Sequence, residues 1–153
     1  MSAGSILVVD DERSMRDFLR IALGRLGYDV TTAGGPAQAI GLLKDPKREL
    51  DLVLTDLKMQ GGSGLDVLDV SRQTRPDTEV VVVTAFATTE TAIAAIRRGA
   101  YDYLNKPFKI DEITVVLERA LEKRRLRRDN VSLRQELEGR YRLSDIVGKS
   151  QPM

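Results

Sequence analysis

Short β-branched apolar runs alternate along this chain with longer stretches in which apolar residues recur every three or four positions. The runs are Ser5–Val9, Tyr28–Thr32, Leu52–Thr55, Val80–Val83 and Tyr101–Leu104. Ser5–Val9, Leu52–Thr55 and Val80–Val83 are apolar almost throughout rather than alternating, which predicts strands of a parallel sheet covered on both faces. The periodic stretches predict helices over about Ser14–Leu26 (with Met15, Phe18, Leu19, Ala22 and Leu26 on one stripe), Pro36–Lys44, Ser63–Gln73, Thr89–Arg97, and from Asp111 onward. Gly27, Gly34 and Gly99 stand where elements should stop, and Pro36 suits a first helical turn. Strict alternation of five strands with five helices predicts a doubly wound α/β domain, (βα)5.

Composition narrows the chemistry more than the fold. The 153 residues, 42% hydrophobic and 31% charged with 12 Gly and 5 Pro, suit one globular domain with a short appendage and are far from disordered composition. There is no Cys and no His, which excludes a disulfide framework, a thiol nucleophile, Cys or His metal sites and imidazole acid–base catalysis. Carboxylates, hydroxyls and amines remain. No run approaches the ~18 to 20 apolar residues of a membrane span, and the N-terminus lacks the basic-then-apolar order of a signal peptide. A cytoplasmic location and no membrane partner are therefore expected. The net charge of +1 hides an uneven distribution: residues 1–108 carry 13 basic and 15 acidic side chains, whereas 109–142 carry 10 and 7.

In doubly wound sheets ligands gather beyond the carboxyl ends of the strands, where the strand order reverses. Here the first strand ends at Asp10-Asp11, the third at Asp56, the fourth at Thr84, and the fifth runs into Asn105-Lys106-Pro107. The second ends on Thr32-Ala33 and offers nothing comparable. In the order 2-1-3-4-5 the first, third, fourth and fifth strands are neighbours, so their polar ends meet on one rim. Singly, each residue has a plain reading: paired Asp caps a helix, Thr closes a strand, and Lys before Pro is a solvated loop residue. Their joint occurrence on adjacent strand ends favours a site.

Three carboxylates in one cleft repel each other, and a bound hard cation with oxygen ligands is the usual remedy. Magnesium fits, because it keeps several waters and takes one or two carboxylates plus a phosphate oxygen. The Lys106 ammonium and the Thr84 hydroxyl suit the oxygens of a transferred phosphoryl group. A carboxylate so flanked can act as a nucleophile and form an aspartyl phosphate.

The runs Ile6-Leu-Val-Val-Asp-Asp-Glu12, Leu54-Thr-Asp-Leu-Lys-Met59, Val83-Thr-Ala85 and Gly99-Ala-Tyr-Asp-Tyr-Leu-Asn-Lys-Pro-Phe108 together resemble the receiver domain of two-component response regulators, a flavodoxin-like fold. The resemblance spans roughly residues 5–121, and four ordered motifs are far more specific than one. It implies that Asp56 is the phosphoacceptor. It further implies that Asp11, Asp56 and the main-chain carbonyl of Lys58 hold Mg²⁺, and that Asp10 binds the ion through water. Thr84 and Lys106 would contact phosphoryl oxygens, Tyr103 would be an aromatic switch, and the Lys106–Pro107 bond would be cis. A sensor histidine kinase is the implied donor. Phosphorylation would then bias the surface of the fourth helix, fifth strand and fifth helix between two states. One departure stands out. Where the family usually reads Met-Pro-Gly-Met-Asp-Gly, this chain reads Met59-Gln60-Gly61-Gly62-Ser63-Gly64.

Helical patterning continues past the receiver-like part. Ile113, Val116, Leu117, Ala120 and Leu121 form a stripe assigned to the domain core. Beyond it Leu126, Asn130, Leu133 and Leu137 repeat at 4-3-4 spacing, as in a short two-stranded coil with a buried Asn, which predicts a homodimer. Glu122-Lys-Arg-Arg-Leu-Arg-Arg128 holds five basic residues in seven. With no aromatic interleaving, it reads as a solvated or inter-subunit helix face rather than a nucleic-acid contact. Gly148-Lys149-Ser150 tempts a phosphate-loop reading, but that motif needs Gly five residues earlier and position 143 is Leu. The segment Leu143–Met153 resembles instead the opening of the AAA+ ATPase module of NtrC-like, sigma-54-dependent activators. The expected organisation is a receiver over 1–121, a helical linker over 122–142 and the start of an ATPase over 143–153. The resemblance further implies that the longer protein binds DNA and the sigma-54 polymerase and that this fragment does not.

Other classes remain open at this stage: a receiver without an effector, an aspartyl-nucleophile phosphohydrolase and a flavodoxin-like cofactor binder. The hydrolase would want Asp two residues after the nucleophile, where Lys58 stands, and Asp10-Asp11-Glu12 would repel a cofactor phosphate. The leading expectation is a phospho-accepting module and not a turnover enzyme.

Overall fold

The structure is a computed structural model that describes residues 3–85 and 88–126. Five parallel strands, β1 (Ser5–Val9), β2 (Asp29–Ala33), β3 (Leu52–Thr55), β4 (Glu79–Thr84) and β5 (Asp102–Asn105), form one sheet in the order β2-β1-β3-β4-β5. This is the order expected from the sequence. Helices α1 (Arg13–Arg25), α2 (Pro36–Leu43), α3 (Gly64–Thr74) and α4 (Thr89–Arg97) connect the strands, and α5 covers residues 110–126. No helix among the described residues is long and apolar enough to cross a membrane.

The period of two explains the apolar runs. Leu7, Val9, Val53, Val80 and Val82 project to one face, where Ala39 and Leu43 of α2, Val67 and Leu68 of α3 and Ala95 of α4 cover them. Ile6, Val8, Leu52, Leu54, Val81 and Val83 project to the other, against Leu19 and Leu23 of α1 and Ile113, Leu117 and Ala120 of α5. Residues of the three central strands thus meet a helix on one side or the other, which removes any pressure for alternation there.

Several boundaries move. β2 and β5 start and end one residue later than the apolar runs, and β4 is one residue longer at each end because Glu79 pairs with Leu52 and Thr84 with Asn105. Ladder bonds, not side-chain polarity, set these limits. The α1 stripe is also corrected: Leu19 and Leu23 are buried, whereas Phe18 and Leu26 are about half exposed, at 48% each. An inward row at i, i+4 points at the sheet, and Phe18 and Leu26 lie off it. The α5 stripe holds as read, with Val116 and Leu121 packed against the same cluster.

At the amino ends of β3 and β4 the sheet carries two acids, Asp51 and Glu79. Arg124 places Nη1 2.7 Å from Asp51 Oδ1, while Asp51 Oδ2 accepts the Ser5 amide at 2.8 Å. Lys123 Nζ lies 3.8 Å from Glu79 Oε2, whose side chain is 3% exposed, and 5.5 Å from the Tyr101 ring centroid. Of the first basic residues of the charged run, Arg124 is thus turned into the chain rather than solvated, while Lys123 and Arg125 are exposed as read. A buried Glu79 and a half-buried Asp51 at strand starts call for cations, and the passing helix supplies them.

Candidate functional site

The ladder bonds continue one residue past the strands and align the polar ends. Asp56 donates its amide to Val9 O at 2.9 Å, and Lys106 donates its amide to Thr84 O at 3.0 Å. Asp10, Asp56, Thr84 and Lys106 are thereby set side by side across β1, β3, β4 and β5. Thr55 Oγ1 donates to Asp56 O at 2.9 Å and fixes the main chain beneath the carboxylate.

Lys106 Nζ bridges Asp10 Oδ2 at 2.7 Å and Asp56 Oδ2 at 3.1 Å, with all three side chains no more than 10% exposed. Burial works against the ammonium, but the two carboxylate hydrogen bonds outweigh it and hold the Lys106 pKa above the ordinary lysine value. The remaining carboxylate oxygens are held by main-chain donors. Asp56 Oδ1 accepts the Leu57 amide at 2.7 Å, Asp10 Oδ1 accepts the Glu12 amide at 2.9 Å, and Asp11 Oδ2 accepts the Gln60 amide at 3.1 Å. Asp10 and Asp56 are buried and Asp11 is exposed, and one oxygen from each lies within 4.8 Å of the others. Three carboxylate oxygens at that spacing, one group open to solvent, fit a small hard cation that keeps part of its water shell. The Asp10-Asp11 pair is not the cap of α1: the N-cap residue is Glu12, and its side chain makes no capping bond.

Thr84 is fully buried. Tyr103 pairs with Val82 and is partly buried on the face covered by α2, α3 and α4, the face that Thr84 shares by register. Lys58 is exposed and begins a two-residue antiparallel hairpin, Lys58–Met59 with Gly62–Ser63. The Lys106–Pro107 bond is cis, as expected. Of the residues assigned to dimerisation, Leu126 is 61% exposed, and Asn130, Leu133 and Leu137 lie outside the described residues.

Four contributors were not singled out from the sequence. Arg16 of α1 donates Nη1 to Asp10 O at 2.7 Å, and the Glu12 and Gln60 amides hold carboxylates. Gly64 opens α3 so close to the main chain that a Cβ there would collide with Asp56 O, while its amide bonds Leu57 O at 2.8 Å. Arg16 left a signal, since a long side chain in a first helical turn leans back toward the preceding strand end. Main-chain donors leave none.

A family model described as the response regulator receiver domain matches residues 6–118. The chain is 42% identical over 121 residues to the DNA-binding transcriptional regulator NtrC of Azospirillum brasilense, an alignment covering 79% of this chain and 25% of that protein. Among solved structures, NtrX from Brucella abortus in complex with ADP superposes with TM-score 0.79 at 40% identity over 87% of this chain and 30% of that one. The beryllofluoride-activated NtrC4 receiver domain dimer gives TM-score 0.72 at 32% identity, over 78% of this chain and 98% of that one. The chain thus spans about a quarter of the length of the NtrC relative.

Proposed function

The chain belongs to the response regulator receiver domain family, of the NtrC and NtrX type, and from that premise we propose that Asp56 accepts a phosphoryl group from a sensor histidine kinase. The observation that carries this reading is the Lys106 bridge between Asp10 and Asp56. It orients a nucleophilic carboxylate and keeps an ammonium where phosphoryl oxygens would arrive.

In the transfer, an Asp56 carboxylate oxygen attacks phosphorus, the P–N bond to the donor imidazole breaks, and the electron pair leaves on that nitrogen. Lys106 and the Thr84 hydroxyl take the phosphoryl oxygens. Asp11, Asp56 and the Lys58 main-chain carbonyl would hold Mg²⁺, with Asp10 acting through water. When bound, the ion neutralises charge on the transferred group. These 153 residues contain no His, so the donor imidazole lies outside them, and the receiver acts once per phosphoryl group rather than as a turnover enzyme.

The added group carries roughly −1.5 to −2 charge and draws Thr84 toward it. Tyr103 then turns inward and the face of α4, β5 and α5 repacks. Through that face and the outgoing helix the cytoplasmic receiver sets the dimer arrangement of a longer protein. That protein's sigma-54-activator ATPase and DNA-binding parts regulate transcription; the relative called a DNA-binding transcriptional regulator and the receiver solved as a dimer support this. Incubation with Mg²⁺ and acetyl phosphate should add one phosphoryl group by intact-mass measurement and none to Asp56→Asn. Full labelling of Asp56→Asn overturns the assignment.

A further inference from the structure

The hairpin after Asp56 brings a main-chain donor to the exposed carboxylate of the acidic cluster. Asp10 and Asp56 are buried and tied by Lys106, so their positions are fixed by the fold. Asp11 is exposed, and among the described residues the donor that reaches it is the Gln60 amide, 3.1 Å from Oδ2. Gln60 and Gly61 are the two central residues of the turn between the paired residues Met59 and Gly62. The Gln60 side chain is exposed, and the Met59↔Gly62 pairing leaves its N–H outside the hairpin ladder. That N–H is thus spent on Asp11 alone. Without it, an exposed Asp side chain repelled by two neighbouring carboxylates would rotate toward solvent.

We infer that the Gln60 main-chain N–H is a positioning donor that holds Asp11 over the cation position, so that divalent-cation affinity depends on a backbone group in the hairpin. This rests on the reading of the acidic cluster as a Mg²⁺ site. The turn offers a clean way to delete the donor. Gly61 has φ +86°, the sign that the second central position of a type II turn requires, and the first central position of such a turn favours proline. Proline also requires an extended residue before it, and Met59 is in a strand. Gln60→Pro therefore keeps the turn and removes one N–H, while Gln60→Ala removes the side chain and keeps it.

Calorimetric titration of Mg²⁺ into the 153-residue chain at fixed ionic strength tests this. Gln60→Pro should weaken Mg²⁺ binding about three- to tenfold, the change expected for losing one hydrogen bond to a solvent-facing carboxylate, with Tm equal to or above that of the parent because proline restricts the unfolded chain. Gln60→Ala should bind as the parent does. Parental affinity in Gln60→Pro, or equal weakening in both variants, overturns the inference and leaves the metal site standing. A parent chain that binds no Mg²⁺, or an Asp11→Asn chain that binds it undiminished, overturns the metal site and the inference together. Should Gln60→Pro fail to fold, the Gln60 amide proton reports instead. In Asp11→Ala its resonance should move upfield by more than that of Gly61, and an unmoved resonance overturns the inference.

Discussion

Lys106 occupies the place a cation takes in any cluster of buried carboxylates. In Lys106→Met, Asp10 and Asp56 would face each other without compensation, and folding stability should fall by about 3 kcal/mol, the lower end for removing one partner of a buried pair. Millimolar Mg²⁺ should restore part of the loss, more than it adds to the parent chain, as read by urea denaturation with and without the ion. A second residue-scale expectation concerns alkali. Burial, with Glu118 adding repulsion, raises the Tyr28 pKa above its ordinary 10.0. A raised folded-state pKa gives stability that is complete below the ordinary value and is lost as pH climbs through the folded one. Stability of the parent should thus decline above pH 10, and Tyr28→Phe should flatten that decline in pH-dependent thermal melts. At this scale the sequence displayed the polar partners well, since Asp10, Asp11, Asp56, Thr84 and Lys106 all lie at the ends of apolar runs. What holds their oxygens in place was hidden, because the Glu12, Leu57 and Gln60 donors are amides and every residue but proline has one.

Among the elements, α3 shows how tightly the site and the fold share atoms. Its N-cap Ser63 accepts the Leu65 amide and returns a hydroxyl bond to Leu57 O, and Gly64 then passes against the Asp56 carbonyl. Gly64→Ala forces backbone against backbone and should cost about 3 kcal/mol, the upper range for overpacking, seen as a lower urea midpoint with an unchanged slope. The periodic pattern placed α3 and α4 within a residue or so, because a buried stripe at 3.6 spacing is unambiguous. It erred on α1, where Phe18 and Leu26 match the period but not the face. Periodicity states that a side faces inward, and only the sheet beneath decides which side. The hairpin at residues 58–63 escaped notice since two-residue strands are too short to carry any period.

For the molecule as a whole, alternation of strands and helices was enough to infer a doubly wound parallel sheet, while the order 2-1-3-4-5, one of two common ones, came with the receiver resemblance. The docking of the basic helix was not legible, because Asp51 and Glu79 lie far from Lys123 and Arg124 in sequence. Asp51→Asn keeps an acceptor for the Ser5 amide while removing the charge opposite Arg124. It should cost about 1 kcal/mol and speed amide hydrogen exchange over residues 118–126, while the centre of β3 keeps its protection.

Those two acids have a mechanical meaning as well. Glu79 and Thr84 open and close the same fully buried strand, about 17 Å apart at strand rise. On the reading proposed for Asp56, the phosphoryl end and the end that anchors α5 therefore sit at opposite ends of a strand hydrogen-bonded on both sides, which leaves little room for change along its length. Room for change lies sideways, where α4 buries one residue, Ala95, against four in α3 and β5 is one of the two edge strands of the sheet. In engineering terms the receiver is a rigid chassis with one soft panel, and the anchored helix turns the chassis into a fixed mount for whatever the chain carries next.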